Sequence, residues 1–272
     1  MKADMHIHST FSDGGDSINK LIEKAKEKGL DAIAITDHDT LSHLSLIPAD
    51  GDIKVIGGVE ISAIHHLTKK KAHILAYNIK NPGPLPDLVG ATAEARNRNS
   101  EKQVRILSEL GFRMELDNIP RADGKYMYKQ HIMDWLVCTG QVPDMFGDFY
   151  KKTFRNGGVC DFDIVYPDVF DAVRAVKSAG GLAVLAHPGQ QQNFSLIPEL
   201  VENGLDGLEL YHYENNEKAR EIIKDYADRY GLFLTGGSDY HGKYGTYSFE
   251  IGDFLSDDSG VDAIFRPIKS AK

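Results

Sequence analysis

The chain has 272 residues, 42% hydrophobic and 26% charged, a composition that excludes disorder and describes a soluble unit of one or two domains with a large core. Forty Asp and Glu oppose 31 Lys and Arg for a formal charge of -9, which excludes an overall basic field for stable duplex nucleic-acid binding but leaves room for a local basic pocket. After Lys2 come Asp4, His6 and His8 where a signal peptide needs an apolar stretch, and no run reaches the ~18 apolar residues of a membrane span, so a cytoplasmic location is expected.

Cys138 and Cys160 fit neither a disulfide framework nor a CxxC motif and read as reduced structural residues. Ala3–Ile7 predicts a first strand. A helix capped by Asp16 or Ser17 follows, with Ile18, Leu21, Ile22 and Ala25 at helical spacing until Gly29 stops it. Ala32–Thr36 is short and apolar on both faces, which completes a βαβ pattern.

Further strands are expected at Val55–Ile61, Ile74–Tyr77, Leu182–Ala186, Leu205–Leu210, Phe233–Thr235 and Phe249–Ile251. Helices are expected near Val169–Ser178, Leu196–Asn203 and Glu217–Tyr230. About seven strand–helix units point to an α/β class with a closed, irregular, TIM-like barrel. Between Asn81 and Gly158 no buried strand is expected: Pro82, Pro84 and Pro86 break the chain, and Ala91–Leu110 favours helix up to Gly111. Residues 89–157 are therefore read as a helical insertion on a barrel made by 1–88 and 158–272. Lys69–Lys71 reads as a solvated loop.

Imidazoles and carboxylates collect at the predicted strand ends, where an α/β barrel places its chemistry. His6 and His8 share one face of the first strand, and Asp13 follows in a loop with Gly14 and Gly15. Thr36-Asp37-His38-Asp39 closes the second strand and Glu60 emerges after the third apolar run. His73 opens a strand by hydropathy. Ala186-His187-Pro188 and Ser238-Asp239-Tyr240-His241 close two later ones. Six imidazoles and three carboxylates brought together without a cation would be very unfavourable.

This ordered set resembles the ligand signature of the PHP (polymerase and histidinol phosphatase) superfamily of metal-dependent phosphoesterases. The resemblance covers the whole chain and implies a distorted (β/α)7 barrel with two or three divalent ions, Mn, Fe or Zn, at its mouth. It implies one ion on His6, His8, Glu60 and Asp239, a second on Glu60, His73 and His187, and a third on Asp13, His38 and His241. His73 is preferred over His65 and His66, which sit in a polar loop.

Adjacent divalent ions lower the pKa of a shared water and neutralise charge on a phosphoryl group, so the expected reaction is phosphoester hydrolysis by a hydroxide nucleophile. No GxSxG elbow or Walker-type loop competes with it. His187, Asp239 and His241 are the candidate catalytic residues. His187 or His241 could protonate the leaving group if not engaged as a ligand, with a water as the equal alternative.

The insertion is expected to carry substrate choice, with Arg96, Arg98, Lys129, His131 and Arg155 as candidate phosphate contacts. The resemblance is to the branch that hydrolyses nucleotides or trims short oligonucleotide ends. There an Arg-Pro-His precedes a helix; here the positions read Lys129-Gln130-His131. Tyr211-His212-Tyr213 could stack on a base or sugar or simply pack the rim. The weighed alternatives are a histidinol-phosphate phosphatase, a non-catalytic metal-binding module and an amidohydrolase barrel, the last opposed by Glu60 in the place of a bridging lysine. The oligomeric state is not readable.

Overall fold

The computed structural model describes residues 1–121 and 123–265. Its strands are β1 (Ala3–Ile7), β2 (Ala32–Ile35), β3 (Lys54–Gly57), β4 (Val59–Ile64), β5 (Lys71–Tyr77), β6 (Leu182–Leu185), β7 (Gly207–Tyr211) and β8 (Phe233–Gly236). The helices are α1 (Ile18–Glu27), α2 (Leu85–Glu109), α3 (Lys129–Cys138), α4 (Asp148–Phe154), α5 (Val169–Ser178), α6 (Pro188–Gln191), α7 (Ile197–Glu202), α8 (Glu217–Tyr230) and α9 (Asp258–Phe265). Ser17 caps α1 by accepting from the Lys20 amide, and Gly29 leaves the helix at φ +67.

The fold is α/β and its strands form two ladders, β1-β2-β3 and β4-β5-β6-β7-β8. Single parallel bridges join the two, Ile7 with Tyr240 just past β8, and His38 just past β2 with Glu60 of β4. Both ladders also feed one apolar cluster, in which Ala3, Met5, Ala32 and Ala34 meet Leu75, Tyr77, Val184 and Ala186 over Val261 and Ile264 of α9. The helices α2, α5, α7 and α8 cover the outer face of the longer ladder.

Two expectations change here. The run Val55–Ile61 is two strands, split where the chain leaves one ladder for the other at Gly58. A Cβ there would lie 2.6 Å from the Ala76 carbonyl oxygen, so the corner admits only glycine. Phe249–Ile251 is no strand: the Glu250 and Asp253 backbones close a turn, Gly252 stands at φ +85, and α9 packs on β8 instead. The edge position beside Ile7 goes to Tyr240.

The proline-rich stretch does not break the chain as expected. Pro84 is the N-cap of α2 and Pro86 lies in its first turn, where a missing N–H costs no intrahelical bond. Leu85 and Val89 of that helix enter the main core, while Val104 and Leu107 join a second cluster with Met114, Met127, Ile132, Leu136, Phe154 and Cys160. Helix α2 therefore runs continuously across the expected boundary at residue 89. Cys160 is buried in that cluster; Cys138 is free and exposed rather than structural. Lys71 opens β5 and pairs with Asp163 at 2.5 Å, so the lysine triplet is only partly a loop. No described helix is long and apolar enough to cross a membrane.

Candidate metal centre

Alternation along β1 puts Asp4, His6 and, just past the strand, His8 on one side. Asp4 accepts from the Ser238 and Gly252 amides, which holds the start of β1 against the segment after β8. Beyond them, His6 Nε2 and His8 Nε2 each lie 3.1 Å from Glu60 Oε2, and 3.4 and 3.0 Å from Asp239 Oδ1. His38 Nδ1 reaches the same Glu60 oxygen at 3.2 Å. The other oxygen, Oε1, meets His73 Nδ1 at 2.6 Å and His187 Nε2 at 2.9 Å. Asp13 Oδ1 lies 3.4 Å from His241 Nε2 and 3.8 Å from His8 Nδ1.

All nine predicted ligands thus converge on one place, and Glu60 lies at its middle. Their donor atoms fall into overlapping groups that could each hold an ion: His6, His8, Glu60 and Asp239; His38, Glu60 and His73; His8, Asp13, His38 and His241; and His6, His187 and Glu209. His65 and His66 belong to none of these; His65 bonds Thr68 and His66 bonds the Tyr166 carbonyl.

The strand order explains His73. By hydropathy it opens its strand, but β5 is antiparallel to both β4 and β6. Its beginning therefore lies level with the end of β6, where the Ala186 amide donates to the His73 carbonyl and His187 follows. Glu60 is likewise the second residue of a new strand rather than the end of an old one. His187 (φ 26) and Asp239 (φ 49) hold left-handed backbones that β-carbon sterics disfavour, a local strain the surrounding contacts sustain.

The polar atoms fit a cation better than they fit each other. His6 Nε2, both nitrogens of His8, His38 Nδ1, Asp13 Oδ1, Glu60 Oε2 and Asp239 Oδ1 are buried without a hydrogen-bond partner, although several approach one another within 3.4 Å. Two ligand atoms about 2.1 Å from a shared tetrahedral ion stand about 3.4 Å apart, so this spacing without alignment is what coordination produces.

Burial opposes ionisation of Glu60 and Asp239, yet the surrounding imidazoles hold both carboxyls well below the usual range: His38, His6 and His73 around the first, His6 and His241 around the second. Asp13 is lowered for the same reason by His241 and His38. Burial also acts on His38, which outweighs Glu60 and Asp13 and drops it to about 3, whereas Asp239 and Glu60 overcome burial at His8 and lift it to about 10. The carboxylates stay ionised among imidazoles whose protons a bound cation would displace.

A second layer aims these ligands. Glu209, in the middle of β7 and fully buried, was not anticipated; its Oε1 accepts from His6 Nδ1 at 3.0 Å and its Oε2 from the His187 amide at 2.8 Å. That places a proton on His6 Nδ1 and turns Nε2 toward Glu60, where it could serve a cation. Its signal was a lone carboxylate inside the apolar run Gly207-Leu208-Glu209-Leu210. Asp37 accepts from the Ser9 amide and from both the Ser9 and Ser12 hydroxyls, which holds the loop that leads to Asp13. His241 donates from Nδ1 to the Asp239 carbonyl at 2.7 Å, which turns its Nε2 toward Asp13.

The predicted substrate contacts divide. Lys129 and Arg155 line a cleft of about 200 Å3 beside His38 and His73, which joins a cleft of about 270 Å3 over Glu60, His187, Asp239 and His241. Arg96 lines the smaller cleft too, but its guanidinium is committed to Asp39 at 2.8 Å and Ser62 at 2.9 Å. Arg98 stands in solvent beside Glu94, because it lies on the opposite side of α2 from the core. His131 is buried as the helix cap of α3, where its Nδ1 accepts from the Tyr128 amide, and it lines neither cleft. His212 is buried as well, with Nε2 at 3.3 Å from Asp239 Oδ2, while Tyr213 beside it lines the larger cleft. Tyr211 packs against the core rather than at the mouth.

Comparison with known proteins agrees with this chemistry. The PHP domain family profile matches residues 4–179. A phosphoribosyl 1,2-cyclic phosphate 1,2-diphosphodiesterase of Eggerthella lenta is 40% identical, with 90% of this chain and 96% of that one aligned. A 3',5'-nucleoside bisphosphate phosphatase of Chromobacterium violaceum is 28% identical over 88% of this chain and 86% of its own. A Bifidobacterium adolescentis structure, assigned as a metal-dependent phosphoesterase, superposes with a TM-score of 0.84 at 29% identity over 96% of this chain and 94% of its own. Family match, relatives and site chemistry coincide: the chain belongs to the PHP domain family, as a phosphoester hydrolase.

Proposed function

We propose that this chain hydrolyses a phosphoester of a small ribose phosphate or nucleotide, or of a short oligonucleotide end, and that the substrate's further phosphoryl group rests between Lys129 and Arg155. The observation that carries the reading is the junction of the two clefts. Asp13, His38, His73 and Gln130 line both, so a molecule with its scissile group over Glu60 extends directly to the two cations. Neither cation has a carboxylate partner within ion-pair distance among the described residues. Burial and the charge of Arg155 both depress the Lys129 amine, a repulsion that a bound dianion relieves.

In this reading two or three divalent ions, Mn, Fe or Zn, would be held, one by His6, His8, Glu60 and Asp239, a second by Glu60, His73 and His187, and a third by Asp13, His38 and His241. Such ions supply a lowered pKa to water and charge to neutralise the phosphoryl oxygens. The chain's own residues do the rest. Lys129 and Arg155 orient the anion, Tyr213 and Tyr150 wall the mouth, and Glu209 keeps His6 in one tautomer. With His187 and His241 both counted among the ligands, a water is left to protonate the leaving oxygen. The two ladders with their bridges serve as a distorted (β/α)7 barrel, and residues 89–157 as a substrate-selecting insertion.

The test is hydrolysis of a panel on manganese-loaded protein, with phosphate, nucleotide and ring-opened products all followed by chromatography: nucleoside 3',5'-bisphosphate, phosphoribosyl 1,2-cyclic phosphate, AMP, a short oligonucleotide and histidinol phosphate. Preference for substrates with two phosphoryl groups is expected, with a rise in KM in Lys129→Ala and Arg155→Ala. Absence of turnover at full metal content removes the proposal.

A further inference from the structure

The three ligands Asp13, His38 and His241 stand on three separate loops, and each of these loops is gripped by the segment around α3. Gln130, on the first turn of that helix, donates from Nε2 to Asp13 Oδ2 at 2.8 Å. The Tyr128 hydroxyl donates to the His38 carbonyl at 2.9 Å. Asp134, one turn further along, accepts from Lys243 Nζ at 2.7 Å and from the Tyr244 hydroxyl at 3.0 Å, just after His241. Asp123 accepts from the Thr10 hydroxyl at 2.6 Å, at the base of the Asp13 loop. Three of the remaining six are oriented from elsewhere: His6 and His187 by Glu209, and Asp239 by His212 and Tyr213.

The Asp13 contact has a chemical consequence. A carboxylate that accepts a hydrogen bond at Oδ2 has one oxygen occupied and the other turned away from the donor. Asp13 Oδ1 is buried, has no hydrogen-bond partner and faces His241 and His8. Gln130 thus selects which oxygen is presented to a cation and in what direction.

We propose that Gln130, Tyr128 and Asp134 are positioning residues for one cation subsite, that of Asp13, His38 and His241, so that the insertion completes the metal cluster as well as covering it. The inference rests on the metal reading above. It makes loading of this subsite depend on how α3 is seated, while Glu60, His6, Asp239, His73 and His187 take no hydrogen bond from that segment among the described residues.

Manganese binding to the full chain, first stripped by chelation, decides the matter when followed by calorimetric titration and elemental analysis. The variants are Gln130→Met, Tyr128→Phe, Asp13→Ala and the double variant Gln130→Met/Asp13→Ala. Gln130→Met is expected to weaken one ion per chain by about 10- to 100-fold and to leave the others at wild-type affinity, with activity restored by excess manganese. Tyr128→Phe weakens the same ion by a smaller factor. The double variant binds as Asp13→Ala alone does, because both changes act on one subsite. Gln130→Met and Tyr128→Phe reach the subsite through different atoms and keep side-chain bulk, so misfolding of one leaves the other decisive. Wild-type binding in both, or equal weakening of every ion, overturns the inference. A wild-type chain that takes up no manganese overturns the metal reading itself.

Discussion

Glu60 shows how much one side chain can organise when it is buried among imidazoles. Its two oxygens face His6, His8 and His38 on one side and His73 and His187 on the other. Glu209 matters at the same scale without meeting the cleft, since it holds the His6 ring and the His187 amide together. Glu209→Gln keeps the shape and removes the charge. It is expected to lower manganese affinity by about 10- to 100-fold, with a parallel fall in activity at limiting metal, both read from one manganese titration. The nine candidate ligands that the fold gathers were legible from residue type, placement along the predicted strands and the resemblance to the PHP signature. Glu209 was not, because a lone acid in an apolar strand shows its partner only when β7 lies beside β1 and β6.

At the scale of elements, close approach of backbones sets the site. A Cβ on Gly237 would lie 2.3 Å from the His6 Cβ and 2.5 Å from its amide nitrogen, so β1 and the end of β8 meet without room for a side chain. Gly237→Ala is expected to lose about 1–3 kcal/mol of stability and to weaken ion binding through displacement of His6, as urea unfolding and metal titration will show. Helix α3 carries a pH dependence of its own. Burial drops His131 to about 4, and its neutral Nδ1 accepts from the Tyr128 amide. An unfolded histidine takes up a proton near pH 6.5, so this residue's stabilisation is complete above that pH and declines as pH falls toward 4, by up to ~3 kcal/mol. His131→Gln should make stability fall less steeply between about pH 7 and about pH 5; an unchanged slope in denaturant titrations would refute the assignment.

Over the whole molecule, the cluster joins the two ladders. β1 and β2 bring His6, His8 and His38 from one, while β4, β5, β6 and β8 bring Glu60, His73, His187 and Asp239 from the other. Cations held there would cross-link parts of the fold that also meet through the single bridges, the Asp4 bonds to the Ser238 and Gly252 amides and the apolar cluster under α9. An ion at about 1,000 times its Kd adds about 4 kcal/mol, so chelation is expected to lower the thermal midpoint by roughly 10 °C, recovered on adding manganese. Scanning calorimetry with and without chelator measures it. A midpoint indifferent to chelation would mean that the ions do not tie the ladders together.

The sequence by itself determined the α/β class, most element positions and the imidazoles and carboxylates that the fold gathers into one pocket, because strand periodicity and the chemistry of imidazole and carboxylate are local properties. It also carried Lys129 and Arg155 into the candidate cleft, yet could not separate them from Arg98, His131 and His212. Only the tertiary structure decided that the run after Val55 turns a corner at Gly58, and that β5 runs backwards and so brings His73 to the mouth. Only it decided that His131 caps a helix and Gln130 reaches Asp13. Strand direction and the facing of a charged side chain depend on neighbours distant in sequence, whose contacts no local pattern records.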